Sequence, residues 1–177
     1  MELREWLVTE ATETRTRLQS QVLERVPTEL RGEHPGGGNS INWGLHHVTT
    51  HAELALSVLE PTLAIVDTQH QWGGLEEEEP EWSVELDPHS VQTRALDVLE
   101  RIRLFVDELA LDRLDVRSDY TSAFTSVGLD SDRFKWLVRM WGDQPASFLV
   151  RWPLIGHVGN HIGELVAVRN RLGLSPF

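Results

Sequence analysis

The sequence contains no cysteine and no long hydrophobic run. Without cysteine, disulfide bonds, a thiol nucleophile and a thiolate metal site are all excluded. No stretch approaches the roughly 18 apolar residues needed to span a membrane, and the N-terminal residues mix acids and bases. We therefore expect neither a membrane helix nor a signal peptide, and a cytoplasmic location is the expectation that follows.

Basic residues are also scarce, since Lys and Arg total 16 against 28 Asp and Glu, which leaves a net charge of -12. Nucleic-acid backbones and anionic membrane surfaces attract positive charge, so neither is an expected partner. A small molecule is the expected partner, with a homodimer as a further expectation. The length of 177 residues fits one domain, 1–177, that buries an adequate core without disulfide bonds.

Four segments have the periodicity of helices, because their apolar residues recur three and four positions apart. The predicted helices lie near residues 3–26, 40–60, 88–111 and 153–172. Ser40 is the expected N-cap of the second helix, and Asp87 followed by Pro88 is a typical start for the third. The fourth helix begins at Pro153 or, with a kink there, near Pro145. These features predict an all-α fold, a four-helix bundle.

Two connections between the predicted helices are long. In the region 112–150, the apolar residues at 134–141 fit either a strand or one helical face. The connection 67–86 carries the acidic run 76–79 between Trp72 and Trp82, and loops of this length are often functional. We predict that residues 67–86 lie over or beside the open end of the bundle, with the acidic run in solvent.

Eight histidines are present, and two pairs of them are spaced four residues apart: His47 with His51, and His157 with His161. Residues four apart in a helix lie about 40° apart around its axis, so both side chains of a pair can reach one ion. Histidines in helix seams are otherwise hydrogen-bonded core residues. That interpretation remains open for each of the four.

Three glycines surround the second pair, at Gly156, Gly159 and Gly163. Each glycine inside a helix costs about 1 kcal/mol relative to Ala, so their number needs an explanation. One explanation is the close approach of a neighbouring helix or of a ligand. The other is ordinary helix packing through small residues, and the sequence does not favour either explanation.

Two stretches resemble the DinB/YfiT-like superfamily. Residues 40–47, SINWGLHH, are similar to its SxxWxxxH helix, and Glu53 matches a glutamate that follows in that helix. Residues 157–165, HVGNHIGEL, resemble its C-terminal HxxxHxGxL helix. Arg169 and the Leu-Gly at 172–173 match the usual ending of that helix.

The resemblance implies a four-helix bundle in up-down-down-up order, with a divalent metal on His47, His157 and His161. Spacing alone does not choose between His47 and His51, and the distance from the tryptophan of the motif selects His47. Asn160 stands where the family often has a further histidine. Affinity order favours the later first-row ions, so zinc or nickel is expected, and iron or manganese could also be accommodated.

In the better understood branches of the superfamily the ion activates a low-molecular-weight thiol, as in S-transferases and mycothiol-dependent maleylpyruvate isomerase. The resemblance therefore implies a metal-dependent enzyme, a thiol S-transferase or a thiol-dependent isomerase, whose partner is a small thiol. Trp43, Trp72 and Trp82 are candidates for the wall of its cavity. Glu164 and Asn160 are candidates for orienting the ligand imidazoles.

Two other classes of function remain open. One is a metal-dependent hydrolase that uses metal-bound water as the nucleophile, with Glu53 as the leading candidate for a nearby base. The other is a non-enzymatic bundle that binds a metal or a small ligand in a stress response. The sequence does not name a substrate, because one fold hosts many chemistries.

Overall fold

The structure, a computed structural model, describes residues 2–60, 71–76, 78–117, 119–126, 129, 132 and 134–176. Within these ranges the secondary structure is helical and no strand is present, apart from one isolated bridge between Arg117 and Pro145. No helix in these ranges is long and apolar enough to cross a bilayer. The α-helices are α1 Leu3–Leu18, α2 Ile41–Leu59, α3 Pro88–Glu108, α4 Tyr120–Ser126, α5 Lys135–Trp141, α6 Ala146–Leu149 and α7 His157–Arg171.

The first three predicted helices are confirmed as α1, α2 and α3. A π-helical segment, Gln19–Leu23, continues α1 toward its predicted end. Ser40 caps α2, since its Oγ accepts a hydrogen bond from the N–H of Trp43 at 3.1 Å. The carboxylate of Asp87 caps α3 by accepting from the N–H of Ser90 at 2.8 Å. Both caps satisfy backbone donors that a helix start leaves free.

The fourth predicted helix begins before residue 153, and its type of helix changes along its length. It begins with α6, directly after Pro145, continues as a π-helical segment Val150–Gly156, and ends as α7. Pro153 lies inside the π-helical segment. Proline lacks the N–H of the regular helical hydrogen bond, so a departure from α geometry is expected there. Segments of this kind occur often at functional sites, and this one ends directly before His157.

The described part of the region 112–150 also forms helices: a 3-10 turn, Leu111–Asp115, is followed by α4, α5 and α6. For residues 134–141 the helical interpretation is confirmed and the strand interpretation is wrong. Phe134, Leu137 and Trp141 are all buried, which matches the three- and four-residue spacing of one helical face.

Helix α2 is the central element of the core. Every residue of α2 is buried except His47, which is half-buried. Helices α3 and α7 both pack on α2, and α1 packs on α3. The guanidinium of Arg4 donates to the carbonyl of Leu109 at 2.9 Å, so the start of α1 lies beside the end of α3. A helix buried on all sides can hold a side chain at the centre of the molecule.

One glycine permits close approach of two helices, but it is Gly44 on α2. A Cβ at Gly44 would lie 2.6 Å from Cδ2 of Leu165 on α7. At Gly159 and Gly163 a Cβ would meet no described atom within 4 Å, so close approach does not explain those two glycines. At Gly156 the nearest atoms to a Cβ would belong to its own helical segment, at the carbonyl of Arg151 and the ring of Trp152.

Candidate metal centre

Three imidazoles from two helices converge in the structure. His47 of α2 and His157 and His161 of α7 each offer one ring nitrogen, and these three nitrogens lie within 4.8 Å of one another. The Nε2 atoms of His157 and His161 are 3.1 Å apart. Two nitrogens bound to one ion at about 2.1 Å are separated by about 3.0 to 3.4 Å for angles between octahedral and tetrahedral. The arrangement therefore fits a shared ion.

Local packing draws the two helices together at the level of these histidines. Gly44 lies three residues before His47, and Leu165 lies four residues after His161. Because glycine leaves room for the leucine side chain, α2 and α7 approach closely within one turn of the cluster. The spacing of four residues then places His157 and His161 on the same face of α7.

Glu164 contacts one of the three imidazoles directly. Its Oε2 lies 2.6 Å from Nδ1 of His161, although Glu164 itself is mostly exposed. An ionised carboxylate is only an acceptor, so Nδ1 of His161 carries the proton and Nε2 presents its lone pair toward His157. The predicted role of Glu164 beside a candidate ligand therefore has a structural basis. Asn160, the other candidate, is exposed.

Replacing Glu164 by Ala is expected to weaken metal binding by about tenfold, at the low end of the effect of losing a carboxylate behind a ligand histidine, because Glu164 is exposed to water. Titration with a competing chelator measures this change. Asn160→Ala, on the same turn of α7, is the matched control and should leave the affinity unchanged. An equal loss in both variants would contradict a specific role for Glu164.

Burial keeps three imidazoles of the cluster uncharged at neutral pH. It is the main reason why the pKa of His47 is lowered to about 4 and that of His157 to about 3, and neighbouring imidazoles contribute to both shifts. For His47 a hydrogen bond to the backbone of Gly74 acts in the opposite direction and raises the pKa. The pKa of His51 is lowered well below its ordinary value, again mainly by burial. Metal ligation requires the neutral imidazole, so these three side chains are in the ligating state at neutral pH.

His51 lies in the same cluster but outside the three-nitrogen group found among the described residues. Its ring centroid is 4.6 Å from that of His47 and 4.6 Å from that of His157. The side chain is buried. Helix geometry explains this position, since His51 follows His47 by one turn on the same face of α2.

Three ring nitrogens in this cluster are buried and have no hydrogen-bond partner within the described part of the chain. They are Nδ1 of His47, Nε2 of His51 and Nδ1 of His157. Histidines that serve only as core residues are expected to be hydrogen-bonded, because a buried unpartnered polar group costs about 1 to 3 kcal/mol. Three such atoms in adjacent rings fit a site that binds a polar ligand better than a purely structural histidine cluster.

The described part of the predicted covering loop packs beside the cluster. A Cβ at Gly74 would collide with Thr50 of α2, which shows how closely the loop approaches that helix. The ring of Trp82 lies 5.9 Å from that of Trp43, and Trp43 lies 5.9 Å from His47. Two of the three predicted tryptophans thus border the site. Residues 67–70 and the side chain of Trp72 lie outside the described residues.

One member of the acidic run, Glu79, is largely buried, so the prediction that the whole run lies in solvent is wrong. Its carboxylate accepts hydrogen bonds from the N–H of Ser40 at 2.5 Å, from Oγ of Ser40 at 2.7 Å and from Oγ of Ser83 at 2.6 Å. His34 lies 3.1 Å from the same carboxylate. A negative charge is stabilised at the start of a helix by its free N–H groups. Glu79 therefore attaches the loop to the start of α2.

Two tryptophans near the cluster were not predicted from the sequence. The ring of Trp136 lies 5.8 Å from that of His51, and the ring of Trp152 lies 5.9 Å from that of His157. Trp152 stands in the π-helical segment and Trp136 in α5. The ambiguous periodicity of this region concealed both, and their only signal was the unusual number of aromatic residues there.

A cavity of about 250 Å³ opens onto His47 and His161. Its other lining residues include Ser40 and Trp43 of α2 and Arg171 at the end of α7. A small ligand can therefore approach two of the three converging imidazoles from outside.

Glu53, the base proposed for a hydrolase, is engaged elsewhere. Its two carboxylate oxygens accept from Nε and Nη2 of Arg94 on α3, at 3.2 and 2.5 Å. His46 lies on the same side, with Nδ1 3.3 Å from Nη1 of Arg94. The carboxylate that contacts the three-histidine group is instead Glu164.

No family model, no curated protein and no solved structure matches this chain. The structure establishes an all-helical protein in which His47, His157 and His161 meet, and this is compatible with a DinB-like metal-binding fold. We propose a family, a direction for each helix and an activity on the basis of these findings.

Proposed function

We propose that this chain is a metal-dependent thiol S-transferase or thiol-dependent isomerase of DinB/YfiT-like architecture, an up-down-down-up bundle. Its divalent metal is bound by His47, His157 and His161. The observation that supports this most strongly is the convergence of three ring nitrogens beside an open cavity.

The ligand set supports a site that can bind substrate. Three imidazoles leave at least one coordination position for an exogenous ligand, as in catalytic zinc sites, whereas structural zinc sites use four protein ligands. Imidazole suits zinc, nickel and iron, and the affinity order favours zinc or nickel. We propose one of these two ions as the resident metal.

The two sequence motifs support a thiol as the substrate. A bound dication would supply a deprotonated thiol at neutral pH, which is a strong nucleophile. The chain provides three imidazole ligands, a carboxylate at His161 that fixes which nitrogen is protonated, and aromatic rings at the border of the cavity. A cavity of about 250 Å³ is suited to a small thiol rather than to a macromolecule.

The hydrolase alternative has less support, because Glu53 contacts Arg94 rather than the three-histidine group. A non-enzymatic metal-binding protein would have the same ligands but no turnover. The activity test below separates it from an enzyme.

We expect the zinc- or nickel-loaded protein to accelerate conjugation of 2-mercaptoethanol with an aryl halide electrophile, followed by absorbance of the thioether. The thiol sulfur forms a bond to the ring carbon, the halide leaves, and the thiol proton passes to solvent. The His161→Ala variant should be inactive. A loaded protein that binds metal stoichiometrically yet gives no metal-dependent conjugation with small thiols would contradict the proposed reaction.

A further inference from the structure

His51 has no role in the ligand set, yet its side chain is only 4% exposed, and its Nε2 has no hydrogen-bond partner within the described residues. A buried donor or acceptor is nearly always partnered in a folded protein. Among the described residues, the rings of His47, His157 and Trp136 lie beside the ring of His51, and two of these are converging imidazoles.

We infer that His51 donates a hydrogen bond from Nε2 to the exogenous ligand of the metal, and that this ligand is a small anion such as a thiolate. The inference rests on the proposed metal site. His47, His157 and His161 each offer one nitrogen to the proposed ion, and His51 follows His47 by one turn on the same face of α2. It is thus placed to reach the ligand from the buried side of the cluster, with Trp136 beside it.

The chemistry of the cluster favours an anion over a neutral ligand. A neutral imidazole with its proton on Nε2 is a hydrogen-bond donor there. Hydrogen bonds from a neutral donor to an anion are shorter and stronger than those between neutral groups, and a site closed to water strengthens them further. A thiolate or hydroxide on the ion would therefore be stabilised by His51 without adding a ligand.

Three substitutions separate this role from packing and from ligation. His51→Gln places an amide N–H close to the position of Nε2, His51→Asn places one close to Nδ1, and His51→Phe keeps a flat ring but has no donor. The full chain is loaded with cobalt(II), whose visible spectrum reports on its ligands, and titrated with azide and with 2-mercaptoethanol. His46→Phe, another buried histidine of α2, is the matched control because His46 contacts Trp82 and Arg94.

Azide and thiol affinity should fall about tenfold or more in the Phe and Asn variants and stay within about threefold in the Gln variant, which is the range expected for one hydrogen bond to an anion. Cobalt content should be unchanged in all three, and His46→Phe should bind azide like the unsubstituted protein. If the Phe variant does not fold, the contrast between Gln and Asn still tests the inference.

Three results would overturn the inference. Equal anion affinity in all variants would show that His51 does not touch the ligand. A Gln variant as weak as the Phe variant would show that ring packing matters rather than the donor. Loss of cobalt from the Phe and Asn variants would make His51 a ligand. An unsubstituted protein that takes up no cobalt would instead contradict the proposed metal site itself.

Discussion

Replacing His161 by Ala is expected to abolish stoichiometric binding of a divalent metal, while His51→Ala leaves the metal content nearly unchanged. His161 provides one of three converging nitrogens, and its Nε2 lies 3.1 Å from that of His157. Removing His161 leaves two ligand nitrogens. The loss of metal affinity should therefore exceed the roughly 10- to 100-fold effect of removing a group that only orients a ligand. Elemental analysis after dialysis against micromolar zinc or nickel measures it.

The paired variants separate metal binding from stability. His161 is half-buried and His51 is buried, so a purely structural histidine cluster would be destabilised more by the change at His51. A selective loss of metal in the His161 variant, with similar thermal unfolding in both, is the predicted pattern. If His51→Ala lost the metal and His47→Ala retained it, the ligand assignment would be wrong.

The second large effect is a loss of stability of the metal-free protein as the pH falls. The metal-free protein should lose at least about 4 kcal/mol of unfolding free energy between pH about 7.5 and pH about 5, about 2 kcal/mol from each of His47 and His157. His51, whose pKa is also lowered by burial, adds to this loss. The folded-state pKa values of about 4 and about 3 lie below the ordinary value of 6.5. Between these values the unfolded chain binds more protons than the folded one, so stability decreases as the pH falls below 6.5.

Urea unfolding at several pH values measures this dependence. Carboxylates make a smaller contribution in this range, because those with lowered pKa values, Asp87, Glu100 and Asp119, lose their stabilisation only at more acidic pH. The His157→Gln variant should have a smaller pH dependence, since one of three buried imidazoles with a lowered pKa is removed. A free energy of unfolding that is constant from pH about 7.5 to about 5 would contradict the burial of neutral imidazoles.

Periodicity and capping chemistry were sufficient to predict the long helices. Helix α2 has apolar residues at seam spacing, and Ser40 and Asp87 cap helices where their side chains predicted it. The three histidines were found because four-residue spacing places a pair on one helical face and because the motif selected His47. These signals are local in sequence, which is why they could be interpreted without a structure.

The features that were missed depend on contacts between distant residues. Glu79 is buried because Ser40, 39 residues away, provides hydrogen-bond donors, and nothing in the acidic run itself indicates this. Trp136 reaches His51 through the packing of α5, a helix whose period was ambiguous. Gly44, rather than the glycines of α7, permits the close approach of helices, because the position of Leu165 decides it.

Several predictions from the sequence remain predictions, since no contact or distance bears on them. These are the homodimer, the cytoplasmic location, the single domain and the identity of the metal. The small-molecule partner also remains a prediction, and the cavity beside His47 and His161 is large enough for a small molecule.

Anomalous scattering from crystals grown with zinc or nickel at neutral pH tests the central claim most directly, because it locates the ion and its ligands together. One peak is predicted, about 2.0 to 2.2 Å from a ring nitrogen of each of His47, His157 and His161, with a further position open to solvent or ligand. A peak coordinated by His51 in place of His47, or protein that takes up neither ion at micromolar excess, would contradict the account.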